Sequence, residues 1–234
     1  VYRTYYPETE GGVLEVIRQL AIGLNDRGYI ARVFAPSRKG PETFELDGVQ
    51  VVTSKLDFEI ASCGFTFSGM REFRRQLEWA DIVHYHFPWP FADMLHFASN
   101  VKIPSVVTYH ADIMKQKYLM VLYAPLMQRF LDNVDCIVAT SPNYVDSSQY
   151  LRPRVAATKM VPLGIAEESY HQVDEETLEQ VRGKYGENFF LFVGVLRYYK
   201  GLDVLLDAAI TGGFKVVIVG TGPESLRLNK KYQL

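Results

Sequence analysis

The chain has 234 residues, 48% of them hydrophobic and 22% charged, with a formal net charge of -2. That balance belongs to an ordinary globular sequence and excludes disordered and collagen-like classes. A pI near 6.2 argues against a general nucleic-acid binder, which needs many phosphate contacts, so any anion site must be local. Cys63 and Cys136 have no CxxC spacing, which suggests neither a disulfide scaffold nor a zinc site and fits a reducing cytoplasm. No apolar run approaches the roughly 20 residues that span a bilayer.

Val1 and Tyr2 read as the last residues of a strand before the glycine turn of EGGVLEV, so the start looks clipped. A helix is predicted from Val13 to Arg27, with Val13, Ile17, Leu20, Ala21 and Leu24 on one face and Gly28 as its stop. YIARVFAP and VQVVTS read as strands, and FSGMREFRRQLEWA as a helix with a basic face in water. DIVHYHF, PSVVTYH and CIVATS follow as short apolar strands, separated by helices at Pro90 to Asn100 and at Ile113 to Asn133. Strands alternating with helices predict βαβ units around a parallel sheet.

The polar stretch AEESYHQVDEETLEQVRGKYGEN reads as a linker and bridging helix, giving expected boundaries of 1–165, 166–188 and 189–234. The last part offers a strand (FFLFVGV), a helix (KGLDVLLDAAIT), a strand (KVVIVG) and the start of another helix. This is too short for a complete doubly wound sheet. The expected fold class is α/β, two Rossmann-like domains with the second incomplete.

In an open parallel sheet, ligands bind beyond the carboxyl ends of the strands, where loops enter helix N-termini that favour anions. Gly11 and Gly12 stand at one such entry, where glycine allows a phosphate to approach the backbone. A tight turn is the plainer reading of the same pair. FVGVLRYYKG repeats the arrangement with Gly194, Arg197 and Lys200. Arginine forks onto phosphate oxygens and lysine acts as a point charge, so the two suit a diphosphate, although both residues also suit a solvated loop. The Walker pattern GxxxxGK[ST] is absent.

His84 and His86 flank Tyr85, so their side chains share one face of a strand. With His110 and Asp112 at a neighbouring strand end, a divalent-metal hydrolase is one reading. Packing of His84 under a helix, with His86 toward a cleft, is another. A two-carboxylate glycosidase is disfavoured, because Asp112 has no evident carboxylate partner. Ile113 to Leu131 reads as a core helix kinked near Pro125. Its alternative is a surface where Lys115, Lys117 and Tyr118, with REFRR at Arg71 to Arg75, face anionic headgroups.

YYPETEGGVLEVIRQLAIGLNDRGY, VVTYHAD, DCIVATSPNY, VPLGI and LFVGVLRYYKGLDVLLDAA, in that order and spacing, resemble the retaining glycosyltransferase family numbered four, of GT-B architecture. ADIVHYHFPWPFADML, VVTYHADI and LRYYKGL are similar to bacterial mannosyltransferases of O-antigen assembly. The resemblance implies a GDP-mannose donor, a polyprenyl-diphosphate-linked acceptor, no cofactor or metal, and work at the inner face of the cytoplasmic membrane. It implies that Gly11 and Gly12 border the donor phosphates and the acceptor, with Gly194 and Arg197 also on the donor side. Lys200 binds the diphosphate and His110 lies near the anomeric centre. His86, Tyr109 and Asp112 are expected on the acceptor side.

The chain departs from the family pattern in two ways. Many members carry arginine directly after the glycine, where this chain has Val195, so Arg197 is the candidate replacement. The family's paired glutamates belong beyond Leu234, so this piece alone is expected to be inactive. A UDP-sugar epimerase and a non-catalytic sugar-nucleotide binder remain as alternatives.

Overall fold

The computed structural model describes residues 1–60, 63–113, 117–164 and 172–233, with Lys117 described by its backbone alone. Ile165, the linker segment 166–171, Lys115 and the side chain of Lys117 therefore lie outside the described residues. The chain divides into two compact units, Val1–Glu167 and Glu168–Leu234. The helix assigned to the linker from sequence falls in the second unit.

In the first unit, α1 (Gly12–Asn25) is followed by β1 (Arg32–Ser37), β2 (Thr43–Leu46), β3 (Val49–Lys55) and a hairpin of β4 (Phe58–Ile60) and β5 (Cys63–Phe65). Then come α2 (Phe67–Trp79), β6 (Val83–Phe87), α3 (Pro90–Ala98), β7 (Ser105–Tyr109), α4 (Lys117–Asn133), β8 (Cys136–Ala139), α5 (Pro142–Ser147) and β9 (Thr158–Met160). β6, β7, β8 and β9 pair in that order, all parallel. β3 lies between β1, which is parallel to it, and β2, which is antiparallel.

The first two residues join these two groups. The Tyr2 N–H donates to the Phe34 carbonyl of β1 at 3.1 Å, and the His86 N–H of β6 donates to the Val1 carbonyl at 3.1 Å. Val1–Tyr2 thus lies between β1 and β6, and residues 3–10 lead from it to the Gly11–Gly12 turn.

Alternation along the strands builds a core on each face. Val33 and Ala35 of β1, with Val49 and Val51 of β3, pack with Leu14, Ile17 and Ala21 of α1. Phe34 and Val52 point the other way, into the core that holds Phe73 of α2, Leu95 of α3 and Phe130 of α4. α2 is capped by Thr66, whose hydroxyl accepts from the Gly69 N–H at 3.0 Å.

Several sequence expectations shift. α1 stops at Asn25, two residues before Arg27, and Gly28 turns the chain at a φ of 82°. Tyr29 and Ile30 are exposed and lie before β1. Ile113 is outside α4, which continues through Pro125. The strands β2, β4, β5 and β9 and the helix α5 were not foreseen.

The second unit contains α6 (Glu175–Tyr185), β10 (Phe189–Val193), α7 (Leu202–Gly212), β11 (Lys215–Val219) and α8 (Ser225–Tyr232). β10 and β11 pair in parallel, and Leu196, Leu202, Leu206 and Leu228 form the buried core. Among the described residues no helix is long and apolar enough to cross a membrane.

Candidate active site

The alternation that sends Val83, Tyr85 and Phe87 of β6 into the core leaves His84 and His86 on the opposite face. In β7, Val107 and Tyr109 enter the core and Thr108 takes the histidine side. Parallel register sets His86 beside Thr108 and Phe87 beside Tyr109. The His110 N–H then donates to the Phe87 carbonyl at 3.1 Å, carrying the pairing one residue past the strand end.

Three imidazoles meet as a result. His84 stacks on His86 with ring centres 4.6 Å apart, and its Nε2 is 2.8 Å from the Thr108 hydroxyl oxygen. His86 Nδ1 lies 2.9 Å from His110 Nε2. Burial pushes His84 down to about 3 and His110 down to about 4. His86 is also lowered, first by burial. All three rings are therefore neutral near pH 7.

The turn after His110 is pinned from the next strand's end. Asp112 Oδ1 accepts from the Tyr109 hydroxyl at 2.8 Å and the Ser148 hydroxyl at 2.9 Å, while its N–H donates to the Tyr144 hydroxyl. Burial, then the bond to Asp112, holds the Tyr109 phenol well above its ordinary range. His86 and Tyr109, expected to face an acceptor, are 3% and 0% exposed. Asp112 is half-buried and already bonded.

At the first glycine turn, Gly11 is extended, with φ 161°, and Gly12 opens α1. A Cβ added at either would meet nothing within 4 Å, so packing in this chain does not demand glycine there. Gly11 also supplies no side-chain cap to the helix N-terminus. Glu15 in the first turn is bound by Arg18 at 2.8 and 2.9 Å, which holds its carboxyl down at about 2. Beside the preceding loop lies a cavity of about 250 Å³, lined by Tyr5, Tyr6, Glu8, Lys39 and Phe44 among others.

The second glycine turn is built differently. Gly194 has φ 150° after β10, and the Leu196 N–H donates to Thr221 while the Glu224 N–H donates to Leu196. A Cβ on Gly220 would sit 2.0 Å from the Gly194 carbonyl oxygen, and one on Gly222 would sit 2.5 Å from that of Leu196. These loops cross with only glycine between them. Arg197 leads into the short turn Tyr198–Lys200, and Gly201, at φ 69°, caps α7 without a side chain. Arg197 and Lys200 are exposed and form no ion pair among the described residues; Lys200 Nζ lies 5.6 Å from the Tyr199 ring centre.

Comparison with known proteins resolves which family this arrangement serves. The family described as Glycosyltransferase Family 4 matches residues 10–168, more than half of the chain. The chain belongs to glycosyltransferase family 4. It is 47% identical over 236 aligned residues to the O-antigen chain mannosyltransferase C of Escherichia coli, covering 100% of this chain and 63% of that protein. It is 46% identical over 223 residues to the D-rhamnosyltransferase WbpZ of Pseudomonas aeruginosa, covering 95% of this chain and 58% of the relative. This family 4 chain thus spans about three fifths of the curated relatives it matches.

Its fold is that of GT-B enzymes. A sucrose-phosphate synthase from Thermosynechococcus elongatus superposes with a TM-score of 0.73 at 18% identity, covering 99% of this chain and 64% of that one. Anabaena Alr3699/HepE in complex with UDP gives a TM-score of 0.66 at 14% identity, covering 98% and 62%. The expected α/β class and family are those found.

Within the family 4 chain, the first unit brings the predicted site residues together as two pairs, His86 with His110 and Tyr109 with Asp112, while Gly194, Arg197 and Lys200 share one loop of the second. Thr108, Tyr144 and Ser148, which brace the histidines and Asp112, were missed from sequence. Their signal was position, since Thr108 is the last residue but one of a parallel strand and TSPNY follows another. Among the described residues no group of three His, Cys, Asp or Glu side chains is placed to hold a metal ion.

Proposed function

We propose that this chain carries the acceptor-side unit and part of the donor unit of a retaining hexosyltransferase for O-antigen synthesis. It transfers a mannose-type sugar from a GDP-sugar to a polyprenyl-diphosphate-linked glycan at the inner face of the cytoplasmic membrane. The carrying observation is the pair of helix N-termini, α1 and α7, each capped by a glycine that offers no side chain. Such ends present unbonded N–H groups to an anion, and the second adds the exposed cations Arg197 and Lys200.

The donor's bond from the anomeric carbon to the diphosphate breaks as the acceptor hydroxyl oxygen bonds to that carbon. Lys200, Arg197 and the N-terminus of α7 neutralise the departing diphosphate, which takes the acceptor's proton. His110, as a neutral imidazole, orients its dipole toward the anomeric centre. Tyr109 and Asp112 hold the turn that carries it. No protein nucleophile, cofactor or metal is required. Mannose is the choice because one relative is named a mannosyltransferase and the other transfers D-rhamnose, a 6-deoxymannose.

Exposure of Tyr118 at 93% and Leu122 at 81%, one turn apart on α4, supports a peripheral lipid contact. No acid occurs between Ile113 and Leu131, while Lys115, Lys117 and Arg129 do.

The test is turnover by the whole protein with GDP- and UDP-sugars, with and without a lipid-diphosphate glycan in anionic vesicles or detergent, and with EDTA. Acceptor-dependent GDP release that survives EDTA, and falls about 100-fold or more in Lys200→Ala, supports the reading. Sugar conversion without acceptor would point to an epimerase, and loss of turnover in EDTA to a metal enzyme.

A further inference from the structure

One of the two ring nitrogens of His110 is already committed. His110 Nε2 lies 2.9 Å from His86 Nδ1, and the two rings are inclined by only 13°. A single hydrogen fits between two neutral imidazole nitrogens at that distance. Whichever ring supplies it, Nε2 of His110 is engaged, and only Nδ1 remains to meet a ligand.

His86 is itself held on several sides. It is 3% exposed, its N–H is bonded to the Val1 carbonyl, and its ring stacks on His84 and meets the edge of Tyr2 at 6.4 Å. His84 in turn is tied to Thr108. The immobile part of the pair is therefore His86, while His110 sits at the strand end, half-buried and beside the solvent-facing turn.

From this geometry we infer that His86 is the positioning residue for His110. It fixes the ring's rotation and ties its tautomer to that of His86, so that Nδ1 is the nitrogen presented to the sugar donor. This inference rests on the reading of His110 given above, and it replaces direct acceptor contact as the role of His86. The orientation of one imidazole by a hydrogen bond at its other nitrogen is a general device of functional histidines.

Asparagine places a polar atom where histidine has Nδ1, whereas leucine fills similar space without one. In the whole protein, His86→Leu is expected to lower kcat about 10- to 100-fold with little change in KM, and His86→Asn to recover most of it. The double variant His86→Leu/His110→Ala should be no slower than His110→Ala alone, because His86 acts only through His110. Equal losses from leucine and asparagine, or additive losses in the double variant, would overturn the inference.

Nitrogen-15 spectra of the imidazoles separate this inference from the reading beneath it. The chain has five histidines, and His96 provides an internal reference. His96 Nε2 donates to Asn133 Oδ1 at 2.7 Å, and its Nδ1 accepts from the Tyr85 hydroxyl at 3.1 Å. In the unmodified protein His110 should show one tautomer, and in His86→Leu a mixture, with His96 unchanged. A single unchanged His110 tautomer in His86→Leu would sink the positioning role. If His110→Ala leaves turnover intact while the tautomer responds to His86, the role of His110 in transfer fails and the positioning stands.

Discussion

The glycines of the turn before α1 and those of the loop after β11 differ in what the protein asks of them. In the second unit, Gly220 and Gly222 are compelled by the chain itself, because the loops after β10 and β11 cross at backbone contact. In the first unit, nothing within 4 Å of Gly11 or Gly12 would resist a methyl group. A glycine forced by packing reports on folding. One that packing does not force leaves room for a visitor, and at a helix N-terminus that visitor is anionic.

The strongest way to break this contrast is Gly220→Ala. Its Cβ would overlap the Gly194 carbonyl, and the backbone there has φ 142°. The expected cost is on the order of 3 kcal/mol or more, read as a lowered denaturation midpoint for the second unit. An unchanged midpoint would mean that the loops do not cross so closely.

The histidine group supplies an effect of similar size but different origin. His110 titrates at about 4 when folded instead of 6.5, so the unfolded chain binds more protons between those values. The His110 contribution should be full above pH 6.5, fall as pH drops through that window, and level off below about 4, where His84, at about 3, carries the fall further. For His110 alone the loss is on the order of 3 kcal/mol. Urea unfolding at pH 7, 5.5 and 4.5 measures it, and His110→Ala should flatten part of the slope. A flat profile in the unmodified protein would show that the imidazoles are solvated.

The smallest effect on stability is predicted for Gly11→Ala and Gly12→Ala. Each should stay within about 1 kcal/mol of the unmodified protein, and alanine at Gly12 suits the helix better than glycine. Binding of the nucleotide-sugar donor should nevertheless weaken markedly in both. Calorimetry alongside thermal unfolding separates the two outcomes. Intact binding would return these glycines to the status of an ordinary turn.

Much of the fold was legible because its signals are local. Val13, Ile17 and Ala21 recur at helical spacing, and HYHF and VVTY alternate or run apolar over strand lengths. The missed elements lacked such signals. β2 has only four residues, β4 and β9 three each, and all lie largely at the surface. The α1 end was overextended because the polar residues after Asn25 do not themselves break helical periodicity.

Sequence by itself determined the class of fold, the family, the shared face of His84 and His86, and the glycine turns that precede two helices. The fold class, the shared face and the turns follow from periods of 2 and 3.6 and from the residues that end them, whereas the family follows from the resemblance of the ordered motifs. Tertiary structure decided which imidazoles touch, because the meeting of His86 with His110 depends on how β6 and β7 pair across 24 residues of chain. It also decided which glycines are obligatory. That distinction lies in the space around each Cα, which only the packing of distant loops defines.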